Sequence, residues 1–331
     1  MAVTLLAAIA LAACGAKKDA LTPTASTAQS LRLMLDWLPN ADHVGLYQAL
    51  ANGDFTQAGL AVHVQTPTDP ATPLQLLAAG RVDVAISYEP ELMLARDKGE
   101  PLVAIGAITQ QPLTSIVSVG SKHITSPRQL RGKTVGDAGI AYQHAFLQTI
   151  LQHAGVSPHS VREVNVGSDL VPALLSGRID AALGAYWNYE AIQLARDGKK
   201  PNVIRVQNAG VPNYDELVLV TTENDLATKT NELRRFVQAL GRGYAAVRAD
   251  PQAGVRALVT ANPSLNSGFQ LASVRATLPA FFPRGSGLPW GWMDAGQWKA
   301  FSAWMLREHL ISNPAAVAGA ETNQLLAGQG P

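Results

Sequence analysis

The sequence has a single cysteine, few charged residues and no strong bias toward either charge. Charged residues make up 15% of the 331, and 26 Lys and Arg almost balance 25 Asp and Glu, for a net charge of +1. No stripe or block of Lys and Arg is present, so the sequence argues against a nucleic-acid partner. Because Cys14 is the only cysteine, no disulfide can form within the chain, and stability must come from packing.

The common signatures of catalytic and metal sites are also missing. The chain contains neither a phosphate-binding glycine loop nor a Gly-x-Ser-x-Gly nucleophile elbow. Its seven histidines show no metal-ligand spacing, and no cysteine is placed to join them. We therefore expect no metal, no cofactor and no enzymatic activity.

Long apolar runs are absent as well. Residues 3–13 form an apolar run before Cys14, but a spanning helix needs about 20 residues, so the run is interpreted as a signal peptide. The sequence Leu-Ala-Ala-Cys-Gly at 11–15 resembles the bacterial lipobox, which implies a lipidated Cys14 in a signal peptide of residues 1–14. No Lys or Arg precedes the run, unlike the usual export signal. Residues 15–30 are polar and aperiodic, which predicts a flexible tether.

From residue 31 onward, short strand patterns alternate with helical ones. This alternation predicts an α/β fold with mostly parallel, doubly wound sheets. Two β-rich runs, at 114–119 and 216–222, are interpreted as crossings between two lobes. We therefore expect a discontinuous lobe 1, with lobe 2 inserted into it; the predicted bounds are 31–116 and 220–331 for lobe 1, and 117–219 for lobe 2.

One pattern occurs twice, at 76–86 and at 174–183. Each copy has a helix end, a glycine, an arginine and then a strand with one aspartate, Asp83 or Asp180. Polar and aromatic residues follow each strand, at 87–89 and at 186–190. Ligands bind at the carboxyl ends of strands in such sheets, so we expect the two clusters to face each other across one crevice. The two aspartates are expected to make structural hydrogen bonds.

The segment 33–47 is the most informative part of the chain. An apolar strand pattern ends in Asp36-Trp37-Leu38-Pro39-Asn40, and His43 and Gly45 follow. Such side chains at a strand's carboxyl end are typical of a ligand site. Packing of Trp37, with turn and cap hydrogen bonds from Asn40 and His43, explains them equally well.

This segment resembles one family of periplasmic solute-binding proteins, which deliver thiamine-pyrimidine precursors to ABC transporters and are related to eukaryotic pyrimidine-precursor synthases. The resemblance spans about residues 31–310, and it continues through Gly53-Asp54-Phe55, Gly59-Leu60, Gly80-Arg81-Val82-Asp83 and Tyr186-Trp187-Asn188-Tyr189-Glu190. It implies the type II periplasmic-binding-protein fold, with two hinge strands and a ligand cleft between the lobes. It also implies a monomer in the periplasm or cell envelope, with an ABC permease as partner.

The resemblance also bears on chemistry. The related synthases use a lysine and a histidine after the Gly-x-Val-Asp strand, where this chain has Ser87 and Glu91, and their cysteine-rich iron motif is missing. A pyrimidine is flat, so it favours aromatic faces, which Trp37 and Tyr186 can supply. Glu190 can accept from a 4-amino group and a ring nitrogen, or it is simply a charge at a helix N-terminus.

The resemblance assigns ligand contacts to Tyr186, Asn188 and Glu190, whereas core packing remains an alternative for Trp187 and Tyr189. Tyr142 follows residues 136–139, whose amides are candidates to bind a formyl or carboxylate oxygen. The indole-rich residues 289–293 are expected to pack in lobe 1 or to line the cleft rim. The predicted ligand-binding residues are Trp37, Asn40, His43, Tyr88, Tyr142, Tyr186, Trp187, Asn188, Glu190 and Tyr214.

Taken together, these features predict a lipid-anchored binding protein that captures a thiamine-related aminopyrimidine of the formylaminopyrimidine or hydroxymethylpyrimidine type. The alternatives are a pyrimidine-precursor synthase-like enzyme, or a binder of riboflavin, a sulfonate or nitrate. An anion binder is expected to present an Arg or a helix N-terminus at the cleft in place of Glu190.

Overall fold

The computed structural model describes residues 28–69, 71–282 and 287–330. Cys14, the predicted signal peptide and the tether as far as residue 27 lie outside these residues. In the described part, ten strands form two five-stranded sheets. The strands are β1 (Gln29–Met34), β2 (Leu60–Gln65), β3 (Val84–Ser87), β4 (Leu102–Thr109), β5 (Thr114–Val119), β6 (Thr134–Asp137), β7 (Arg162–Asn165), β8 (Ala181–Tyr186), β9 (Pro201–Arg205) and β10 (Leu217–Thr222).

The helices alternate with the strands and then dominate the carboxyl-terminal third. They are α1 (Val44–Asn52), α2 (Asp54–Gln57), α3 (Pro73–Ala78), α4 (Glu89–Asp97), α5 (Gln143–His153), α6 (Leu170–Leu175), α7 (Glu190–Arg196), α8 (Glu223–Thr228), α9 (Thr230–Ala249), α10 (Pro251–Ala261), α11 (Ser267–Thr277), α12 (Ala295–Arg307) and α13 (Pro314–Val317). Short 3₁₀ turns lie at Ala41–His43, Gly120–Lys122, Pro127–Leu130, Pro158–Ser160, Val206–Asn208 and Leu278–Ala280. Among the described residues, every helix is too short or too polar to cross a membrane.

Each sheet has parallel strands on one side and an antiparallel addition on the other. The first sheet has the order β2-β1-β3-β10-β4, with β10 antiparallel to both neighbours. The second has the order β7-β6-β8-β5-β9, with β5 antiparallel to both neighbours. We call the first sheet with α1–α4 and α8–α11 the first lobe, and the second sheet with α5–α7 the second lobe. The predicted α/β architecture is confirmed, although both sheets are mixed.

The chain changes lobe between strands rather than within them. All of β5 belongs to the second sheet and all of β10 to the first, so the crossings lie between β4 and β5 and between β9 and β10. The predicted boundaries at 116/117 and 219/220 fall inside these two strands, because β propensity marks a strand but not the sheet that it joins. β1 already begins at Gln29, so Gln29 and Ser30 belong to the first sheet and not to the tether.

The repeated sequence pattern produces equivalent strands. β3 and β8 each occupy the centre of their sheet. Asp83 Oδ2 accepts a hydrogen bond from the backbone N–H of Arg32 in β1 at 2.8 Å, and Asp180 Oδ2 accepts one from that of Thr134 in β6 at 2.9 Å. The expected structural role of both aspartates is confirmed, and both strands end beside the same cavity.

Gly45 allows a close approach between α1 and α9. A Cβ atom there would lie 2.3 Å from the ring of Tyr244, so any larger residue would separate the two helices. The Tyr244 ring also stacks on Trp290 at 4.8 Å, and its hydroxyl donates to the backbone oxygen of Asp42 at 2.6 Å. Trp290 therefore packs within the first lobe, one of the two roles expected for residues 289–293, and Tyr244 helps to fix the loop that carries Asp42.

Candidate ligand-binding site

A cavity of about 1040 Å³ lies between the two lobes and is lined by residues from both. Its wall combines aromatic rings, carboxylates and small loop residues. Six of the predicted site residues line it: Trp37, Asn40, Tyr88, Tyr142, Tyr186 and Glu190. Their contact with a ligand stays a prediction, but the fold brings them to one place from four separate segments of the chain.

His43 lies behind this wall and orients a residue that lines it. Its Nε2 atom is 2.7 Å from Asp36 Oδ1, and its Nδ1 atom accepts from the backbone N–H of Asn40 at 3.3 Å. Because Nδ1 is an acceptor, the proton lies on Nε2 and is donated to Asp36. The ring is fully buried, so His43 supports the wall without reaching the cavity.

Asp36 was not among the predicted ligand residues, yet it lines the cavity. Besides the bond from His43, its Oδ2 atom accepts from the Tyr88 hydroxyl at 2.9 Å. Asn40 organises the same loop, since its Oδ1 atom accepts from the backbone N–H of Asp42 at 2.7 Å. The position of Asp36 at the end of an apolar strand was the sequence signal for its role.

Trp187 also lies away from the cavity. Its Nε1 atom donates to the backbone oxygen of Pro112 at 3.0 Å, and the Arg205 guanidinium lies 4.0 Å from the ring centre. Pro112 belongs to the first crossing between the lobes. Trp187 therefore has the packing role that was the alternative to a ligand contact. Its indole connects the first crossing to the second lobe.

A buried carboxylate joins the two crossings. Glu216 accepts from the backbone N–H groups of Leu113 and Thr114 at 2.7 and 2.9 Å, and from the hydroxyl of Tyr214 at 2.8 Å. The hydroxyl of Tyr186, on the cavity wall, donates to it at 3.3 Å. Burial raises the pKa of Glu216. Tyr214 is thus a partner of the crossings and does not line the cavity.

Asn188 is the fourth predicted residue that does not line the cavity. Its Nδ2 atom donates to Asp42 Oδ1 at 2.7 Å and to Thr277 Oγ1 at 2.8 Å, both in the first lobe. The following residue, Tyr189, does line the cavity, and its ring lies 6.2 Å from that of Trp37 in an edge-to-face arrangement. Two adjacent residues of one loop therefore have different roles: Asn188 contacts the first lobe, and Tyr189 lines the cavity.

The wall is strongly acidic. Among its residues Lys98 is the one base, whereas six carboxylates line it: Asp36, Asp42, Asp69, Glu91, Glu100 and Glu190. Burial raises the pKa of Glu91 and of Glu190 to about 7. Burial, with Asp36 and Glu190 nearby, raises the pKa of Asp42 well above its usual value. A ligand that donates hydrogen bonds or carries positive charge would relieve this cost.

The two glutamates occupy corresponding places. Glu91 lies in the first turn of α4 and accepts from the Ser87 hydroxyl at 3.0 Å. Glu190 is the first residue of α7 and accepts from the backbone N–H of Tyr186 at 2.7 Å. Two helix N-termini at the cavity, which would otherwise favour an anion, therefore carry carboxylates of their own. Sequence reasoning missed Glu91 as a wall residue because it was considered only as a substitute for the synthases' histidine.

The amides before Tyr142 are already paired. The backbone N–H of Ala138 donates to Gln143 Oε1 at 2.8 Å, and that of Gly139 donates to Asp137 Oδ1 at 2.7 Å. Contrary to the expectation from sequence, these two groups have acceptors within the protein. Over the described ranges, no group of three or more His, Cys, Asp or Glu side chains is placed to hold a metal ion.

Comparisons with known proteins agree with this geometry. The NMT1/THI5-like family model matches residues 40–254. The chain belongs to the NMT1/THI5-like family. Among its relatives, the formylaminopyrimidine-binding protein of Halalkalibacterium halodurans is 34% identical over 318 residues, which cover 94% of each chain. A putative thiamine biosynthesis protein of Haemophilus influenzae is 34% identical over 291 residues, or 88% of this chain and 90% of the relative.

This NMT1/THI5-like chain also resembles an enzyme more distantly. The 4-amino-5-hydroxymethyl-2-methylpyrimidine phosphate synthase THI13 of Saccharomyces cerevisiae is 22% identical over 248 residues, which cover 72% of each chain. The proteins that this chain resembles therefore include both a binding protein and a synthase.

Solved structures identify the fold. The alkanesulfonate-binding protein SsuA from Xanthomonas axonopodis pv. citri bound to MOPS matches with a TM-score of 0.67 at 16% identity, over 88% of this chain and 98% of that one. The periplasmic nitrate-binding protein NrtA from Synechocystis PCC 6803 matches with a TM-score of 0.65 at 12% identity, over 90% and 87%. The expected type II periplasmic-binding-protein fold is confirmed for this NMT1/THI5-like chain.

Proposed function

We propose that the chain is the solute-binding protein of an ABC importer and captures a thiamine-related aminopyrimidine by closure of its two lobes. The observation that carries this proposal is that aromatic rings and carboxyl groups line one cavity, among them Trp37, Tyr186 and Glu190. The rings offer faces for a flat heterocycle. A carboxylate accepts from the 4-amino group and makes a charge-assisted bond with the basic ring nitrogen.

The wall argues against an anionic ligand, although relatives in fold bind sulfonate or nitrate. Six carboxyl groups and one lysine line the cavity, so an anion would meet a single basic side chain and would be repelled by every carboxyl group that is ionised. The amides of Ala138 and Gly139 are paired with side chains of the protein. Charge alone does not exclude riboflavin, which is also flat, so riboflavin is included as a comparison ligand in the tests.

A role without catalysis is part of the proposal. Ser87 and Glu91 stand where the resemblance places the lysine and histidine of the synthases, and a serine cannot form a Schiff base with pyridoxal phosphate. We expect pyridoxal phosphate to give no borohydride-reducible adduct in the cavity and no pyrimidine product. A reducible adduct with release of a pyrimidine would favour the enzyme instead.

The proposed location is the periplasm or cell envelope, with a lipid on Cys14 and a permease in the membrane as partner. One acyl chain binds membranes only weakly, whereas several anchor a protein stably. The variant Cys14→Ser should therefore be released from membranes or fail to mature. A variant that is fully processed and still membrane-bound would contradict the anchor.

The proposed ligand class can be tested on protein purified under native conditions. Mass spectrometry of the small molecules carried through purification should detect an aminopyrimidine. The variant Trp37→Ala, purified in parallel, should carry much less of it. Recovery of a sulfonate, nitrate or a flavin in stoichiometric amount would overturn the assignment of ligand.

A further inference from the structure

The loop after β8 makes a second connection between the lobes, beyond the crossing that Trp187 contacts. Asn188 and Tyr189 follow a strand of the second sheet, but their side chains contact the first lobe. Besides the two bonds from Asn188 Nδ2 to Asp42 and Thr277, the backbone oxygen of Asn188 accepts from the Ser273 hydroxyl. We call these three hydrogen bonds the interlobe contact.

The interlobe contact is buried. Asn188, Asp42, Ser273 and Thr277 are each at most 2% exposed. Its partners come from the 3₁₀ turn Ala41–His43 and from α11, both in the first lobe. Because Asn188 is carried by the second lobe, a motion that moves this loop away from α11 breaks all three bonds. An intramolecular hydrogen bond contributes net free energy even though its groups bond to water once separated, so this contact favours the closed arrangement.

Aromatic packing extends the same contact. The Tyr189 ring lies 4.7 Å from that of Phe269 in α11, and the Arg196 guanidinium of α7 lies 6.0 Å from the centre of the Phe269 ring. Both residues that contact Phe269 belong to the second lobe. Side chains from two consecutive segments, the loop and α7, therefore rest on α11.

Asp42 connects this contact to the cavity. It lines the cavity wall and also accepts the bond from Asn188. An ionised Asp42 is the stronger acceptor, but burial together with Asp36 and Glu190 disfavours that form by raising its pKa. A donor or cation bound beside Asp42 favours ionisation, and so it strengthens the bond to Asn188.

We propose that Asn188 is a positioning residue that holds the second lobe on the first through Asp42 and Thr277, and that it does not touch the ligand. A ligand that donates toward Asp42 strengthens this contact, which slows its own escape. The ligand class in this argument rests on the proposed function, whereas the interlobe contact itself does not.

The first test uses binding kinetics to distinguish a residue that acts on lobe closure from a residue that contacts the ligand directly. Stopped-flow tryptophan fluorescence with 4-amino-5-aminomethyl-2-methylpyrimidine should give a dissociation rate at least tenfold higher for Asn188→Ala than for the parent. The association rate should change by less than threefold, because the wall that meets the ligand first is intact. The isosteric Thr277→Val, which removes one acceptor, should raise dissociation by a smaller factor. The exposed Asn224→Ala is the matched control.

A dissociation rate for Asn188→Ala within twofold of the parent would overturn the proposal. So would a loss that falls mainly on the association rate, because that pattern is expected of a residue in direct contact with the ligand. If Asn188→Ala does not fold, Thr277→Val decides by the same criterion.

The second test needs no ligand. Dyes on exposed positions of the two lobes, introduced as Arg178→Cys and Asn224→Cys in a Cys14→Ser background, report lobe separation by single-molecule energy transfer. Asn188→Ala should lower the closed fraction at least fivefold, and an unchanged closed fraction would overturn the proposal. If the aminopyrimidine fails to bind even the parent, the proposed function fails, while this measurement still decides the role of Asn188.

Discussion

The loops that follow β3 and β8 start from equivalent positions in the two sheets but end on different partners. Each brings tyrosine and a glutamate to the cavity, Tyr88 with Glu91 in the first case and Tyr186 and Tyr189 with Glu190 in the second. Burial raises the pKa of both glutamates to about 7. The shared pattern thus supplies the same two kinds of side chain from opposite lobes.

The two segments differ in the residues that lie between the first tyrosine and the glutamate. In the first loop Glu89 turns away from the cavity, and its Oε2 atom accepts from the backbone N–H of Asp215 at 2.6 Å, beside a crossing. In the second loop Asn188 reaches the opposite lobe. Both loops are therefore tied to a crossing, the first through Glu89 and the second through Trp187, and the second loop also reaches α11 of the opposite lobe through Asn188. The comparison teaches that two loops with a shared sequence pattern can supply similar cavity walls while one of them adds a contact with the other lobe.

The largest effect is expected from Glu216→Ala. Glu216 lies in the second crossing and accepts hydrogen bonds from the backbone N–H of Leu113 in the first crossing and from the Tyr186 hydroxyl. The variant leaves several buried donors without an acceptor, at about 1–3 kcal/mol each. We expect the free energy of unfolding in urea to fall by about 3 kcal/mol or more.

The control for this measurement is Glu163→Ala, which removes only the ion pair with the largely exposed His144. Such surface pairs contribute about 0–1 kcal/mol. Equal losses in the two variants would contradict the role assigned to Glu216.

The next effect concerns the first lobe's aromatic wall. Trp37→Ala should weaken aminopyrimidine binding by about 2–3 kcal/mol, because it removes a ring face and its buried area. Trp37→Phe should recover part of the loss, since it keeps an aromatic face. Calorimetric titration measures both, and an unchanged dissociation constant for Trp37→Ala would show that the indole only packs against Tyr189.

Glu190→Gln tests the carboxylate of the second loop. It preserves shape but loses the charged acceptor, so binding should weaken by about 1.5–3 kcal/mol, the range for hydrogen bonds to charged groups. Glu91→Gln tests the carboxylate of the first loop in the same way, and Glu163→Gln is the control outside the cavity. If Glu190→Gln binds as well as the parent, Glu190 is a charge at a helix N-terminus and not a ligand contact.

A further effect is a dependence of stability on pH. Glu91 and Glu190 have pKa values of about 7 in the folded protein, above the ordinary value of about 4.3 in an unfolded chain. Between these values the folded state holds more protons, so the free energy of unfolding contributed by these groups falls as pH rises from about 4.5 to 7.

Denaturation of the ligand-free protein at pH 5 and pH 7.5 measures this slope. Each of Glu91→Gln and Glu190→Gln should flatten it, and Glu163→Gln should not. A slope that neither cavity variant changes would mean that both carboxylates are well solvated in the free protein.

The sequence predicted the architecture well because it depends on periodicity. Alternating strand and helix patterns, and the repeat around Asp83 and Asp180, were sufficient to place two lobes and the strand ends between them. Six of the ten predicted site residues line the cavity. Residue type alone could not separate these from the other four.

The reason is that direction within a loop is set by tertiary contacts. Asn188 and Tyr189 are adjacent, yet one enters the first lobe and the other lines the cavity. Likewise His43 is turned inward by Asp36. Asp42 reaches the wall through packing of α1 and α9, a long-range contact that no local pattern encodes.

Calorimetric titration of the purified protein at pH 7.5 with matched candidate ligands tests the central claim most directly. A 4-amino-2-methylpyrimidine with a 5-aminomethyl or formylaminomethyl group should bind at one site per chain, thiamine should bind less well, and taurine and nitrate should give no heat of binding. Heat from taurine, nitrate or riboflavin, with none from the aminopyrimidines, would contradict the claim that this acidic, aromatic cavity selects an amine-bearing pyrimidine.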